Sequence, residues 1–182
     1  MEVIQTGIKD LVEIHPKIFG DDRGWFLETF NQDKYHLALP PRTLFVQDNL
    51  SYSNKGVLRG LHFQEPPFAQ AKLVFVIQGR VLDIAVDLRR SSETYGKVFS
   101  VILDAKSKNQ LFVPRGFAHG FSCLEDETIF SYKCDNLYSK EHERTLQWND
   151  AELGIDWMLE TPILSEKDRT GESFESFNTP FD

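Results

Sequence analysis

The sequence predicts an all-β fold, a sandwich or barrel of the jelly-roll kind with short peripheral helices. Three observations carry that expectation. Short runs of strand-forming residues recur from Thr43 to Asp135, at 44–49, 56–64, 72–78, 80–88, 98–103, 109–113, 119–124 and 128–134. Corner-forming residues separate them, among them Gly79, Gly96, Pro114 and Gly116. Before the tail, only residues 31–39 carry a helical pattern.

Taken in order, residues 1–20 read as strand, turn, strand, with Val3, Ile4, Leu11, Val12, Ile14, Ile18 and Phe19 placed around Gly7, Pro16 and Gly20. Residues 21–30 read as a turn and an aromatic strand. The helical stretch has Asn31 as its N-cap and Tyr35 and Leu39 four apart on one face, and Pro40 and Pro41 stop it. The tail after Tyr138 reads as short helical turns and loops, frayed from 169 to 182. One domain over 1–182 is expected, with an N-terminal arm at 1–30, a barrel at about 43–135 and a helical and loop segment at 136–182.

The chain of 182 residues is 41% hydrophobic, enough for one sizeable core. Its net charge of -8 argues against a nucleic-acid partner, which needs a basic footprint. A small anionic ligand asks only for a few local cations, such as Arg23, Arg59 and Lys72. The two cysteines, Cys123 and Cys134, lack C-x-x-C spacing, and the N-terminus has no signal-peptide pattern, so a reducing cytoplasm is expected. No apolar run approaches the roughly 20 residues of a membrane span.

Residues 57–79 place Arg59, His62 and Lys72 among strand formers. A guanidinium suits a phosphate, an imidazole moves protons near neutral pH, and an ammonium can hold a developing oxyanion. Strict alternation puts Leu58, Gly60, His62 and Gln64 on one face and Arg59, Leu61 and Phe63 on the other, with His62 facing lumen or solvent. On the next strand Leu82, Ile84, Val86 and Leu88 face a second layer, which leaves Asp83, Ala85 and Asp87 opposite. Asp83 either lies on a wet face or, if interior, requires a cationic or imidazole partner. His119 is the candidate, sharing a face with Phe117 and Phe121.

Pro114-Arg-Gly116-Phe-Ala-His119 has the spacing P-x-G-x-x-H and resembles the second motif of the cupin superfamily, small jelly-roll barrels. The first cupin motif usually supplies His-x-His and a Glu; here only His62 stands there, followed by Phe63 and Gln64. A mononuclear metal site needs three or four protein ligands, so acid-base chemistry without metal or organic cofactor is expected.

A longer series is more specific: Val46-Gln-Asp-Asn49, Lys55-Gly-Val-Leu-Arg-Gly-Leu-His-Phe-Gln64, Ala69-Gln-Ala-Lys-Leu-Val74, Asp83-Ile-Ala-Val-Asp-Leu-Arg89, Pro114-Arg-Gly-Phe-Ala-His-Gly-Phe121, Tyr132-Lys133, Glu141-His-Glu143 and Leu164-Ser-Glu-Lys-Asp168. It resembles the dTDP-4-dehydrorhamnose 3,5-epimerases from about Phe19 to Arg169. Leu50, Phe68 and Phe75 depart from the family's frequent His, His and Arg. The resemblance implies a dTDP-4-dehydro-6-deoxy-glucose substrate whose C3 and C5 protons are removed beside the C4 ketone and returned to the opposite face. It implies His62 as base, Asp168 as its partner, Lys72 with the His119 and Asp83 pair beside the enolate oxygen, and Tyr132 as the opposed acid. It further implies Arg59 and Arg23 on the diphosphate, Tyr138 on thymine, and Gln47, Asn49, Glu28, Glu143 and Lys167 along the nucleotide. Phe19, Arg23 and Glu28 would reach a partner subunit's site, so a homodimer follows. An epimerase of C3 or C5 alone, a metal-dependent cupin enzyme and a non-catalytic sugar-binding cupin are the alternatives.

Overall fold

A computed structural model describes residues 1–41 and 43–182. Two antiparallel sheets face each other. The first contains β1 (Glu2–Gln5), β2 (Val12–His15), β10 (Gln110–Val113), β7 (Lys72–Gln78), β12 (Thr128–Cys134) and β5 (Gln47–Ser53), in that spatial order. The second runs β13 (Glu143–Thr145), β6 (Leu58–Gln64), β11 (Phe117–Cys123), β8 (Arg80–Asp87) and β9 (Val98–Asp104). A detached hairpin pairs β3 (Ile18–Asp21) with β4 (Gly24–Leu27).

Period-two alternation sorts the side chains into three cores. Val74, Val76, Val81, Ala85, Leu111, Phe117, Phe121 and Phe130 come from both sheets and fill the space between them. Leu82, Ile84, Val86 and Leu88 leave the other face of the second sheet, as their spacing predicts, and pack under Leu146, Trp157 and Phe181. On the outer face of the first sheet, Val12, Ile14, Leu73 and Phe112 are covered by Tyr35 and Leu39. Tyr35 ends α1 (Gln32–Tyr35), whose N-cap Asn31 accepts from the Lys34 amide. The buried Tyr35 hydroxyl lies 2.8 Å from Gln110 Oε1 and 2.9 Å from the Thr29 carbonyl, two acceptors for its one hydrogen, which ties the short helix to the sheet.

Four expectations are corrected. The segment 1–30 is not an arm throughout: β1 pairs β2 and β2 pairs β10, so residues 2–15 belong to the first sheet and only the 18–27 hairpin stands apart. The run at 44–49 shifts to Gln47–Ser53, because pairing with β12 extends from Gln47 opposite Cys134 to Ser53 opposite Thr128. The tail contains a strand, β13, paired with β6. Residues 169–182 are not frayed. Phe174 and Phe177 pack against the second core, and Phe181 is buried in it.

Candidate active site

Strict alternation fails on β6, and the failure builds the site. His119 pairs His62 and Phe121 pairs Arg59, so β6 carries one residue more than β11 over this stretch. The extra residue flips the parity. Leu58, Leu61 and Phe63 all enter the second core, while Arg59 and His62 line the same cavity between the sheets. Gly60 permits the bulge. Its φ is +137°, and a Cβ there would lie 2.5 Å from the Cα of Gly120 on the facing strand.

The cavity, about 240 Å³, is lined by Arg59, His62 and His119 from the second sheet and by Ser51, Lys72 and Tyr132 from the first, with Glu143 and Lys167 at its edge. A smaller recess of about 110 Å³ shares His62, Lys72, Tyr132 and Glu143 with it and adds Gln47, Cys134 and Tyr138. The two form one cleft.

His62 Nε2 lies 2.6 Å from Asp168 Oδ1. With Nε2–H donated to the carboxylate, Nδ1 keeps its lone pair. Asp168 sits in α2 (Glu166–Arg169), whose N-cap Ser165 accepts from the Asp168 amide. Asp168 therefore both takes part in the helix cap and partners His62. Ser165 Oγ donates to Asp168 Oδ2 at 2.6 Å, and the Gly60 amide donates to Oδ1 at 3.2 Å. Burial opposes ionisation of Asp168, but the bonds from His62, Ser165 and Gly60 outweigh it and hold the carboxyl down to about 2. Burial also lowers the His62 pKa, more than the Asp168 bond raises it. The result is a neutral imidazole beside a carboxylate.

Lys72 is not on an edge strand, since β7 lies between β10 and β12. Among the described residues, its Nζ makes no hydrogen bond or ion pair, and burial pushes the ammonium pKa down. Asp83 is fully buried and takes His119 Nε2 at 2.9 and 3.0 Å on its two oxygens, which settles its orientation inward. Burial raises its pKa against the opposing influence of His119 and Lys72. Tyr132 faces the same interior, and burial pushes its phenol above 10, so it holds its proton at neutral pH.

The edge of the cleft is polar. Lys167 Nζ pairs with Glu143 at 2.5 Å, and Tyr138 donates its hydroxyl to the same carboxylate at 3.1 Å. Gln47 donates to Asn49 at 3.0 Å and accepts from the Tyr138 amide at 3.1 Å. Arg59 is steadied by Ser53 Oγ, 3.2 Å from its Nε. The structure thus brings together all six expected proton-transfer residues, along with Gln47, Asn49, Arg59, Tyr138, Glu143 and Lys167. It does not bring Phe19, Arg23 or Glu28 to this cleft. Phe19 and Arg23 lie on the detached hairpin, where Arg23 pairs with Asp21, and Glu28 holds Lys34 at 2.7 Å. Leu50, Phe68 and Phe75 do not line the cleft either; Leu50 points out from β5 and Phe68 packs at a tilt against the His142 ring. Ser51, Cys134, Ser165 and Gly120 are site residues the sequence did not single out. Inward parity on β5 and β12 was the available signal for the first two.

Among the described residues, no three His, Cys, Asp or Glu side chains converge as a metal site would require. No helix among them is long and apolar enough to cross a membrane.

The family model for dTDP-4-dehydrorhamnose 3,5-epimerase matches residues 5–176. The dTDP-4-dehydrorhamnose 3,5-epimerase of Shigella flexneri is 51% identical over 174 residues, covering 96% of each chain. Among solved structures, the enzyme of that name from Elizabethkingia anophelis superposes with a TM-score of 0.94 at 49% identity over 98% of each chain. The dTDP-6-deoxy-D-glucose-3,5-epimerase of Legionella pneumophila, in complex with dTDP-4-keto-L-rhamnose, gives 0.93 at 44% identity over 97% of this chain and 94% of the other.

Proposed function

This chain belongs to the dTDP-4-dehydrorhamnose 3,5-epimerase family, and from that premise we propose how its cleft inverts C3 and C5 of dTDP-4-dehydro-6-deoxy-D-glucose to give dTDP-4-dehydro-L-rhamnose. The observation that carries the reading is the neutral His62 held by the Asp168 carboxylate in one cavity with a protonated Tyr132.

A proton beside the C4 ketone leaves to His62 Nδ1, and the imidazolium so formed is stabilised by Asp168. Negative charge gathers on the C4 oxygen, where Lys72 and the His119–Asp83 pair neutralise it. Tyr132, on the facing sheet, supplies a proton to the other side of the enolate. Once His62 has released its proton to solvent and Tyr132 has regained one, repetition at the second carbon completes the double inversion. Arg59 takes the diphosphate, Tyr138 stacks on thymine, and Gln47, Asn49, Glu143 and Lys167 line the nucleotide.

The reaction runs without metal or organic cofactor. Support comes from the donor set, since His62 and His119 are each committed to a carboxylate. The enzyme is a cytoplasmic homodimer in which Phe19, Arg23 and Glu28 serve the neighbour's cleft. The exposure of Ile18, Phe19, Trp25 and Phe26 on the detached hairpin supports that part of the reading. Incubation with dTDP-4-dehydro-6-deoxy-glucose in heavy water, followed by NMR, tests the whole. Deuterium at both C3 and C5 with the L-rhamno product is expected. Label at one carbon would make it a single-site epimerase, and label at neither would overturn an enzymatic role.

A further inference from the structure

The inner face of β5 is a row of polar side chains. Gln47, Asn49, Ser51 and Ser53 alternate with the more exposed Asp48, Leu50 and Tyr52. Three of the four have partners. Gln47 bonds Asn49, Asn49 reaches the Cys134 sulfur at 3.8 Å, and Ser53 holds the Arg59 guanidinium. Ser51 does not. Its Oγ is buried and lacks a hydrogen-bond partner among the described residues, and its side chain lines the reaction cavity.

A buried hydroxyl without a partner destabilises the fold, and the groups around Ser51 offer no relief. Across the pairing it meets Phe130, whose ring stacks on Phe121. The remaining neighbour on its own row, Ser53, is spent on Arg59. An unfilled donor next to a guanidinium is suited to an oxyanion that the guanidinium also holds. We infer that Ser51 is a substrate-positioning residue whose hydroxyl donates to an oxygen of the diphosphate bound by Arg59. In this arrangement the bound diphosphate gives the hydroxyl an acceptor that no protein group provides.

The inference rests on the cleft being the dTDP-sugar site, and the test separates the two. Titration calorimetry with dTDP is run on the wild type, Ser51→Ala, Ser51→Thr and Arg59→Ala, with thermal melts of each ligand-free protein. Ser51→Ala is expected to weaken dTDP by about 12- to 150-fold, the range for a hydrogen bond to a charged acceptor. Its ligand-free melting temperature should equal or exceed that of the wild type, and Ser51→Thr, which keeps the hydroxyl, should bind dTDP close to wild type. Unchanged dTDP affinity in Ser51→Ala, with Arg59→Ala weakened, overturns the role of Ser51 and leaves the hydroxyl to solvent. Weakened affinity with a lowered melting temperature also overturns it, because the hydroxyl then serves the fold. Undiminished affinity in Arg59→Ala instead removes the diphosphate reading on which the inference stands.

Discussion

Asp168→Asn isolates what charge contributes to the proposed base. The Gly60 amide and His62 Nε2 converge on a single Asp168 oxygen, and Ser165 Oγ meets the other. An asparagine fits this cradle. Its carbonyl oxygen keeps both N–H donors, while its amide group can donate to Ser165 Oγ. The resting tautomer of His62 is thus preserved, and what disappears is the carboxylate facing the imidazolium. A hydrogen bond to a charged group contributes about 1.5–3 kcal/mol and a neutral one about 0.5–1.5 kcal/mol. The difference, about 1–2 kcal/mol, falls on the proton-carrying state and not on the resting one. At about 1.4 kcal/mol per tenfold, turnover should drop about 5- to 30-fold with KM little changed. Steady-state kinetics and the initial rate of solvent deuterium uptake at C3 and C5 measure it. No loss, or a loss of the roughly 10²- to 10⁴-fold that removing a general base costs, would refute the assignment of Asp168 as a stabiliser of the imidazolium.

The same substitution has a consequence for acid stability. Asp168 titrates at about 2 in the fold against an ordinary 3.8. A depressed carboxyl contributes stability that is present above the unfolded value and is lost as pH falls through the folded one. The contribution is about 2 kcal/mol above pH 4, fading between about 3.8 and 2. Denaturant melts should therefore show the wild type's advantage over Asp168→Asn narrowing as pH falls through that window. An advantage constant with pH would contradict the charge argument.

Four further outcomes are expected. Tyr132→Phe should take up deuterium faster than it forms epimer, because the base remains and the opposed acid does not; equal losses in both would mean Tyr132 is not the acid. Gly60→Ala should lose at least about 2 kcal/mol in denaturant melts, since its Cβ would sit 2.5 Å from Gly120 Cα on a backbone at φ +137°; a wild-type melt would show that the bulge tolerates a side chain. Arg23→Ala should weaken dTDP in titration calorimetry while melting normally, whereas deleting residues 1–29 would also strip β1 and β2 from the first sheet. Turnover should survive a chelator, and loss restored by a divalent ion would overturn the metal-free reading.

The site was legible where strands are regular. Period-two alternation set Asp83 apart from the Leu82 face and put His119 with Phe117 and Phe121, and the need of a buried carboxylate for a partner pointed from Asp83 to His119. That Lys72 and Tyr132 line the cavity followed only from the family resemblance. Alternation failed at β6, because a bulge depends on which residues face each other across two strands. Gly60 and Gly120, 60 positions apart, make it together. The union of β2 with β10 is equally non-local, and nothing in residues 1–15 announces it. The C-terminal cover went unread because Phe174, Phe177 and Phe181 stand at i, i+3 and i+7, a helical spacing, in a segment that forms no helix and packs on the second core.

The division of the site between the two sheets gives the proposed inversion its geometry. His62 and His119 stand on the second sheet, while Lys72 and Tyr132 stand on the first. Facing sheets pack about 10 Å apart, enough to hold one sugar ring between them. A base rooted in one wall and an acid rooted in the other approach opposite faces of such a ring without any moving part. Without the extra residue on β6, Arg59 and His62 would lie on opposite faces of the strand, and the phosphate grip and the base could not share one ligand. In the proposed mechanism the bulge is therefore what lets a single strand both anchor the nucleotide and deprotonate the sugar.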